Sequence, residues 1–282
     1  MKITVAKSAG FCFGVKRALS IAHKTLESES QVYMLGDIVH NETVVAEMKG
    51  YGLRKIKTLK EGKNKTLLVR AHGTGLNTIK KAKKLGYKIV DATCPMVKEI
   101  HSIAKDKEQK GYKIIIIGDK EHDEVKGIMG QLNKKALVID SLKNTPLKAI
   151  RKIKRACVVV QSTQEAKRVT RTVGILRKYI SDLQFFNTIC RPTRIKQREI
   201  RIMPLKNDTM IIIGSKTSAN TKRLYEISKS LNKKSYWVQS KDQIKPEWFK
   251  YAKRVGITAG ASTPDKTTHN IVTHIRKLAQ RF

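Results

Sequence analysis

Short runs of consecutive apolar residues alternate along the chain with longer amphipathic stretches that carry many charges. Apolar runs of about four to eight residues are typical of strands buried on both faces, whereas segments such as Val15–Leu26 repeat apolar residues at helical spacing. This alternation predicts an α/β fold with mostly parallel sheets that are covered on both faces. The strand candidates are Val32–Leu35, Thr66–Val69, Lys88–Val90, Lys113–Ile117, Ala136–Ile139, Ala156–Val160, Leu183–Phe186, Met210–Ile213, Tyr236–Val238 and Arg254–Ile257.

The number of these candidates bears on the domain organisation. A chain of 282 residues can form one large domain or two to three small ones. The strand candidates come without a single dinucleotide-binding fingerprint and without a strict repeat. They therefore favour several small α/β lobes over one wide sheet.

The charge of the chain is strongly positive. It has 59 Lys and Arg residues against 23 Asp and Glu residues, which gives a formal net charge of +36. Such a field attracts polyanions: nucleic acid, an acidic membrane or a phosphorylated metabolite. The basic clusters at Lys55–Lys65, Lys80–Lys88, Lys148–Arg155 and Arg191–Arg201 are spread along the chain and have no regularly interleaved aromatic residues. Solvated lysine-rich faces are therefore favoured over a nucleic-acid site, which remains the alternative function.

The apolar runs are too short for a membrane segment. The longest, around Ile114–Ile117 and Ile211–Ile213, have the length of strands, well below the ~18 residues that a spanning helix needs. The first residues, MKITVAKSAGFCFG, lack the apolar stretch of a signal peptide. We therefore expect a cytoplasmic protein without a membrane partner, in which cysteines remain reduced.

Polar residues that can bind a metal or a phosphate follow eight of the strand candidates, often beside glycine. They are His40 and Asn41, His72, Cys94, His122 and Glu124, Ser162 and Thr163, Cys190, Ser218 and Asn220, and Ser262. In open α/β sheets, ligands bind outside the carboxyl ends of the strands. One site could therefore collect all of these residues.

Three of the four cysteines differ in context from the fourth. Cys157 lies inside an apolar strand candidate, where a buried and inert thiol is favoured. Cys12 lies between Gly10 and Gly14, whose backbone can approach a bulky inorganic group, and Cys94 is followed by proline. Cys190 follows a strand candidate and precedes a basic turn.

The spacing of these cysteines matches neither a zinc knuckle nor a ferredoxin. Three thiolates from separate lobes could still hold a cubane iron–sulfur cluster and leave one iron open to substrate. Three buried thiols are an equally compatible interpretation of the spacing alone.

Three histidines and a hydroxyl-rich turn indicate phosphate binding. His40, His72 and His122, taken together in a positive field, suit a diphosphate, although each alone is typical of a structural histidine. The turn Gly214–Asn220 precedes the helical segment Thr221–Leu231 and could offer hydroxyls and helix N-terminal amides to phosphate oxygens. A zinc hydrolase that uses the histidines is a third possibility, but they lack the i, i+4 spacing of zinc helices.

Two further features lie near strand ends. The segment Gly260–Ser262 resembles the first turn and could also contact phosphate. Glu124, two residues after His122, could pass a proton to a leaving hydroxyl, or it could be a surface glutamate in a turn.

Taken together, these segments resemble the family of 4-hydroxy-3-methylbut-2-enyl diphosphate reductases, from residue 1 to the C-terminus and in the family's order. The motifs that carry the resemblance are AGFCFGVKRAL at Ala9–Leu19, LGDIVHN at Leu35–Asn41, RAHG at Arg70–Gly73, DATCPMV at Asp91–Val97, EHDEVKG at Glu121–Gly127, NTIC at Asn187–Cys190, GSKTSAN at Gly214–Asn220 and GITAGASTPD at Gly256–Asp265. No single motif is decisive, whereas the ordered set is highly specific.

The resemblance implies three small, pseudo-equivalent α/β lobes in a trefoil-like arrangement around a central 4Fe–4S cluster. We expect the lobes at residues 1–95, 96–190 and 191–282, forming one catalytic unit. The implied cluster ligands are Cys12, Cys94 and Cys190, with one iron left open, and the implied proton donor is Glu124. The implied substrate-binding residues are His40, His72, His122, Ser162, Thr163, Ser218, Ala219, Asn220 and Ser262.

The resemblance also implies the reaction and the partners. The family removes the 4-hydroxyl of (E)-4-hydroxy-3-methylbut-2-enyl diphosphate with two electrons and two protons, in the last step of the non-mevalonate isoprenoid pathway. The products are isopentenyl diphosphate, dimethylallyl diphosphate and water. We expect an acidic electron donor of the ferredoxin or flavodoxin type, whose capture the positive charge would assist.

Three positions depart from the family's pattern. Ser162 replaces the first threonine of a Gln-Thr-Thr motif, which retains a hydroxyl, and Ala219 replaces a frequent serine. The segment after Cys190 is more basic than usual, and Pro192 affects where the next helix begins. None of these departures removes an expected cluster ligand or the expected proton donor.

Overall fold

Helices and strands alternate along the computed structural model, which describes residues 1–142 and 146–280. The strands are β1 (Lys2–Val5), β2 (Val32–Leu35), β3 (Arg54–Ile56), β4 (Thr66–Val69), β5 (Lys88–Asp91), β6 (Lys113–Ile117), β7 (Leu137–Ile139), β8 (Arg155–Val160), β9 (Asp182–Phe185), β10 (Thr209–Ile213), β11 (Ser235–Val238) and β12 (Arg254–Ala259). The α-helices are α1 (Phe13–Ser28), α2 (Glu42–Gly50), α3 (Leu76–Lys84), α4 (Pro95–Gln109), α5 (Asp123–Met129), α6 (Leu147–Ile150), α7 (Ala166–Leu176), α8 (Arg191–Lys206), α9 (Ala219–Leu231) and α10 (Asp265–Ala279).

The strands form three four-stranded sheets in which every pairing is parallel. The strand orders are β3-β2-β4-β5, β7-β6-β8-β9 and β11-β10-β12-β1. In the first two sheets this is the chain order second, first, third, fourth. The last sheet has the same order, except that the N-terminal strand β1 occupies the fourth place. The predicted α/β class with three pseudo-equivalent, parallel lobes is therefore confirmed.

All ten predicted strands are present, with ends that differ by no more than two residues. Two strands lacked an apolar signal, namely β1 and β3. Both occupy the outer position of their sheet and have mostly exposed side chains, so no run of apolar residues marks them. Because β1 pairs with β12, residues 2–5 belong to the sheet of the C-terminal segment. The division into lobes at residues 95 and 190 stays a prediction.

The sheet of β6 to β9 shows why continuous apolar runs form its strands. Ile115, Ile117 and Val158 lie in a core cluster with α7 residues. The alternate residues Ile114 and Cys157 lie in a second cluster with residues of α4 and α5. Both faces of the strands are thus covered by helices, which removes the polar alternation that a half-exposed strand would need.

The chain separates into two compact units. The first comprises Met1–Val15, His40–Val44 and Arg191–Phe282, and the second comprises Lys16–Val39 and Val45–Cys190. The first unit contains the sheet of β1, β10, β11 and β12, and the second contains the other two sheets. Within the described residues, no helix has both the length and the apolar character that crossing a bilayer requires.

Candidate active site

Each sheet has its cysteine at the same topological position. The strand in the fourth place of each sheet is β5, β9 or β1, and the first candidate ligand residue that follows it is Cys94, Cys190 or Cys12. The two central strands of each sheet lead to the other expected residues. These residues are His40 after β2, His72 after β4, His122 and Glu124 after β6, Ser162 and Thr163 after β8, Ser218 to Asn220 after β10, and Ser262 after β12. The candidate ligand residues of the three sheets therefore follow strands at equivalent positions.

The loop after β5 fixes the backbone of Cys94. The Cys94 N–H donates to the Ala71 carbonyl at 3.0 Å, which ties this loop to the loop after β4. Cys94 is the N-cap of α4, and Pro95 takes the first helical position, where its fixed φ suits the helix and no amide donor is lost. The thiol is half-buried, as expected for a ligand that a cofactor must reach.

Cys190 lies between β9 and α8. Its N–H donates to the Ser162 carbonyl at 3.1 Å, so that the loops after β8 and β9 are joined. Like Cys94, the residue is half-buried. Helix α8 begins directly after Cys190, at Arg191. Pro192 lies in the first turn of this helix, where proline is tolerated, so it does not delay the start of the helix.

The Cys12 loop belongs to the first unit and is held against the loop after β12. The Cys12 N–H donates to the Ala261 carbonyl at 3.1 Å. Gly10 has a φ of +93°, in the left-handed region, and a Cβ at this position would collide with the Asp265 carboxylate. Glycine is therefore required two residues before the half-buried Cys12.

Cys157 has a different environment from the other three thiols. It lies inside β8 with no solvent exposure, and burial raises the pKa of its thiol to about 12. A thiol with this pKa remains protonated at neutral pH and is a poor metal ligand. The predicted buried and inert role agrees with this geometry.

Glu124 is a buried carboxylate in the first turn of α5. Its side-chain oxygens accept the Ser162 N–H at 2.6 Å and the Ser162 hydroxyl at 2.7 Å. Burial is the largest influence on the pKa of Glu124 and raises it, whereas the two bonds from Ser162 oppose the rise; the pKa of this carboxyl lies above its ordinary value. At 2% exposure, the residue is not a surface glutamate.

His122 and His72 lie together in the second unit. Their rings are 5.5 Å apart and almost perpendicular. His122 is the N-cap of α5, and its Nδ1 accepts the Glu124 N–H at 3.1 Å. Since Nδ1 is an acceptor, the neutral ring carries its proton on Nε2, which makes Nε2 a hydrogen-bond donor.

The expected phosphate residues of the first unit surround the start of α9. Ser218 is the N-cap of this helix, and its hydroxyl accepts the Thr221 N–H at 3.3 Å. Asn220 is 4% exposed, and among the described residues its Nδ2 has no hydrogen-bond partner. The Ser262 hydroxyl donates to the His40 carbonyl at 3.0 Å. A buried amide donor without a partner is costly unless a ligand satisfies it.

Ser162 and Thr163 have separate partners. The Ser162 hydroxyl donates to Glu124, whereas the Thr163 hydroxyl accepts the Gln161 amide at 3.1 Å. The serine that departs from the Gln-Thr-Thr pattern is thus bonded to the candidate proton donor.

The sequence analysis did not identify Lys196 as a special residue. Lys196 lies in α8 at 2% exposure, within the segment read only as basic. Burial lowers the pKa of its ammonium to about 8, although Cys12, Glu199 and Asp265 oppose this shift. The spacing from Thr193 through Lys196 to Ile200, all on the buried face, is the sequence signal that could have revealed it.

Known proteins share both the sequence and the fold of this chain. The family model described as "LytB protein" matches residues 3–276. The 4-hydroxy-3-methylbut-2-enyl diphosphate reductase of Aquifex aeolicus is 38% identical over 99% of the chain and 97% of the relative. The reductase of Clostridioides difficile is 37% identical over 99% and 100%, respectively.

Two solved structures extend the likeness. One, described as (E)-4-hydroxy-3-methyl-but-2-enyl diphosphate reductase, the terminal enzyme of the non-mevalonate pathway, is 37% identical, with a TM-score of 0.72 over 98% of this chain and all of that one. The reductase from Plasmodium falciparum is 26% identical, with a TM-score of 0.88 over 96% and 87%. The family match and these relatives together define an enzyme of the iron–sulfur oxidoreductase class. Within that class the chain belongs to the LytB protein family.

Proposed function

We propose that Cys12, Cys94 and Cys190 hold a 4Fe–4S cluster in which one iron has no protein ligand, and that Glu124 donates a proton to the substrate hydroxyl. The activity is that of the family: reductive dehydroxylation of 4-hydroxy-3-methylbut-2-enyl diphosphate at the end of the non-mevalonate isoprenoid pathway. The observation that carries the proposal is the placement of one half-buried thiol after the fourth-place strand of each sheet.

The residues present fit such a cluster. Each of the three thiols is half-buried, and none forms a disulfide. The three backbone amides are already bonded to carbonyls of neighbouring loops, so each thiol is held by a fixed backbone. When bound, the cluster supplies the electrons and a Lewis-acidic iron.

The diphosphate would be held by the donors at the other strand ends. In the second unit the candidates are His72, the Nε2–H of His122 and the hydroxyl of Thr163. In the first unit, the partnerless Nδ2 of Asn220 supports the assignment most directly. The remaining candidates are His40, Ser162, Ser218, Ala219 through its backbone amide, and Ser262. The N-terminal end of α9 adds a favourable field for an anion.

Glu124 suits the proton transfer because its pKa is raised by burial. A carboxyl that keeps its proton closer to neutral pH can release it when the hydroxyl leaves as water. The overall balance is two electrons and two protons taken up, with a C–O bond broken and a C–H bond formed. One proton goes to the leaving oxygen and the other to an allylic carbon.

The electron donor belongs to the proposal as well. The net charge of +36 suits an acidic protein of the ferredoxin or flavodoxin type, captured in a cytoplasmic setting. If the charge assists this encounter, the second-order rate of reduction by such a donor should fall as ionic strength rises. A rate that is independent of salt would contradict this part of the proposal.

The first experiment is anaerobic turnover of the substrate by the cluster-reconstituted protein, with a reduced viologen as the electron source. Cys12→Ser should abolish turnover and lower the iron and sulfide content. Cys157→Ser is the matched control, because its thiol lies inside β8, and it should retain both. Equal losses in the two variants would reject the ligand assignment.

Inactivity of the wild-type protein with a full cluster would overturn the activity itself. Nucleic-acid binding would then be measured against salt concentration, because binding through phosphate contacts weakens steeply with salt.

A further inference from the structure

One side chain of α8 contradicts the general character of that helix. The outward face of α8 carries exposed residues, among them Arg194, Ile195 and Arg198. Lys196 instead lies on the buried face with Thr193, at 2% exposure. A buried ammonium is costly, and apolar residues of similar volume are often at least as stabilising. Stability alone therefore does not account for a lysine at this position.

The contacts of Lys196 converge on the loop that carries Cys12. Its Nζ donates to the carbonyls of Ser8, of Gly10 at 3.0 Å and of Ala259 at 3.0 Å. An ammonium has three N–H donors, and here each has a backbone carbonyl as its acceptor. Two of the carbonyls precede Cys12 by four and two residues, and the third is the last residue of β12.

Glu199, three residues after Lys196 in α8, binds the same loop through its carboxylate. Glu199 accepts both the N–H of Ser8, at 3.1 Å, and the Ser8 hydroxyl. The Ser8 peptide thus donates to a carboxylate and accepts from an ammonium, both presented by α8. Lys196 and Glu199 thus join the loop between β1 and Cys12 to α8 through four polar interactions, and a fifth joins Lys196 to β12.

The positive charge of Lys196 also acts on the loop that carries Cys12. All three carbonyls orient their negative ends toward the ammonium, and Cys12 is among the groups that interact electrostatically with it. Each of its three N–H groups has a carbonyl acceptor, and this arrangement holds the side chain in its charged, protonated form. A fixed positive charge beside a thiolate ligand favours the more negative, reduced state of an iron–sulfur cluster.

We propose that Lys196 is a positioning residue that holds the Ser8–Cys12 loop in the conformation for cluster ligation, and that its charge raises the reduction potential of the cluster. This inference rests on the proposed role of Cys12 as a ligand. Glu199 works with Lys196 on the position of the loop but opposes it on the potential, because its charge is negative.

The opposed signs make the test specific. The reduction potential of the reconstituted cluster would be measured anaerobically by spectroscopic redox titration in wild type, Lys196→Met and Glu199→Gln. We expect a more negative potential in Lys196→Met and a more positive potential in Glu199→Gln. Loss of a purely structural contact would not produce shifts of opposite sign. Arg198→Met is the control, since it removes one positive charge from the exposed face of the same helix, and it should shift the potential less than Lys196→Met.

A second readout does not need the cluster. Hydrogen–deuterium exchange of the apo protein should show about tenfold faster exchange of the Cys12 amide in Lys196→Met, because the loop opens more readily without the ammonium. Arg198→Met should exchange like wild type. Unchanged exchange together with an unchanged potential in Lys196→Met would overturn the proposal.

Other failures remain distinguishable. If Lys196→Met does not fold, Lys196→Gln removes the charge but keeps an N–H donor for the loop carbonyls, so a more negative potential in that variant still decides the electrostatic role; a potential equal to wild type would overturn it. If Cys12→Ser keeps the full iron and sulfide content of wild type, the proposed ligand set fails. The exchange measurement would then still report whether Lys196 fixes the loop.

Discussion

Glu124 and Lys196 are both buried charges at 2% exposure, one in each compact unit, and they are satisfied in different ways. Glu124 accepts two bonds from a single residue, Ser162, and burial still raises its pKa. Lys196 donates to three backbone carbonyls of two separate segments, and burial lowers its pKa. In both cases burial favours the neutral form.

This difference shows that a buried charged side chain can either transfer a proton or hold backbone segments in place. A carboxyl with a raised pKa and one bonding partner can lose its proton without disturbing the rest of the chain. An ammonium that joins two backbone segments cannot be removed without releasing both. We therefore expect Glu124 to affect turnover more than stability, and Lys196 to affect the conformation of the Cys12 loop.

The largest expected effect is on turnover in Glu124→Gln. Glutamine can accept the Ser162 N–H with its amide oxygen and donate its amide N–H to the Ser162 hydroxyl, but it cannot donate an acidic proton. We therefore expect kcat to fall about 10²- to 10⁴-fold, the usual contribution of general acid catalysis. Glu108→Gln is the matched control. Glu108 is also a buried carboxylate of the second unit, but it accepts the backbone amides of Asn133 and Lys134 at 2.9 and 2.7 Å. Turnover in this control should stay near wild type, and equal losses in both variants would show that kcat reports folding rather than proton transfer.

The same substitution has a signature in stability. The pKa of Glu124 is higher in the folded state than in the unfolded state. Above about pH 4.5 the folded state therefore keeps a proton on this carboxyl that the unfolded state has lost. The wild-type free energy of unfolding, relative to Glu124→Gln, should therefore decrease as pH rises through the folded pKa. Urea denaturation of both proteins at pH 4 and pH 7 measures this difference.

Lys196 should give the opposite trend at alkaline pH. Its pKa is about 8 in the folded state against 10.5 in the unfolded chain, so between these values the unfolded state binds more protons. The wild-type free energy of unfolding, relative to Lys196→Met, should thus rise with pH across this window, by roughly 3 kcal/mol in total. Urea denaturation at pH 7.5 and pH 10 checks the sign.

An exposed lysine provides the reference for that measurement. Lys222 in α9 is largely exposed, so Lys222→Met should show no comparable change relative to wild type over the same window. A Lys196→Met curve that runs parallel to wild type would mean that the ammonium is not buried in solution.

Residue patterns predicted most of the fold because its strands are covered on both faces. The bounds of β2, β4 and β6 equal the predicted ones, since each consists of apolar residues apart from Thr66 at the start of β4 and Lys113 at the start of β6. The edge strands β1 and β3 were missed because exposed side chains replace that signal. The place of β1 beside β12 depends on a contact between the two ends of the chain, which no local pattern encodes.

The candidate site divides in the same way. Glu124 and Asn220 could be recognised as candidate site residues because they follow strands, and ligands bind at the carboxyl ends of strands in α/β sheets. Lys196 was not recognised because a lysine in a basic helix is normally solvated. Its role depends on carbonyls from the loop before Cys12 and from β12, which only the folded chain brings together.

The smallest expected effect tests how Glu124 is tuned. Ser162→Ala removes the hydroxyl that donates to the carboxylate at 2.7 Å but keeps the backbone N–H bond at 2.6 Å. Losing one donor destabilises the charged form of Glu124, so its pKa should rise further. The limb of the pH–kcat profile that reports Glu124 should move to higher pH, and the free energy of unfolding should change by about 1 kcal/mol. Thr163→Val is the comparison: the Thr163 hydroxyl bonds to Gln161, so its loss can raise KM but should leave that limb in place. A limb that moves equally in both variants would mean that the profile reports substrate binding, and that Glu124 is not the group whose titration limits turnover.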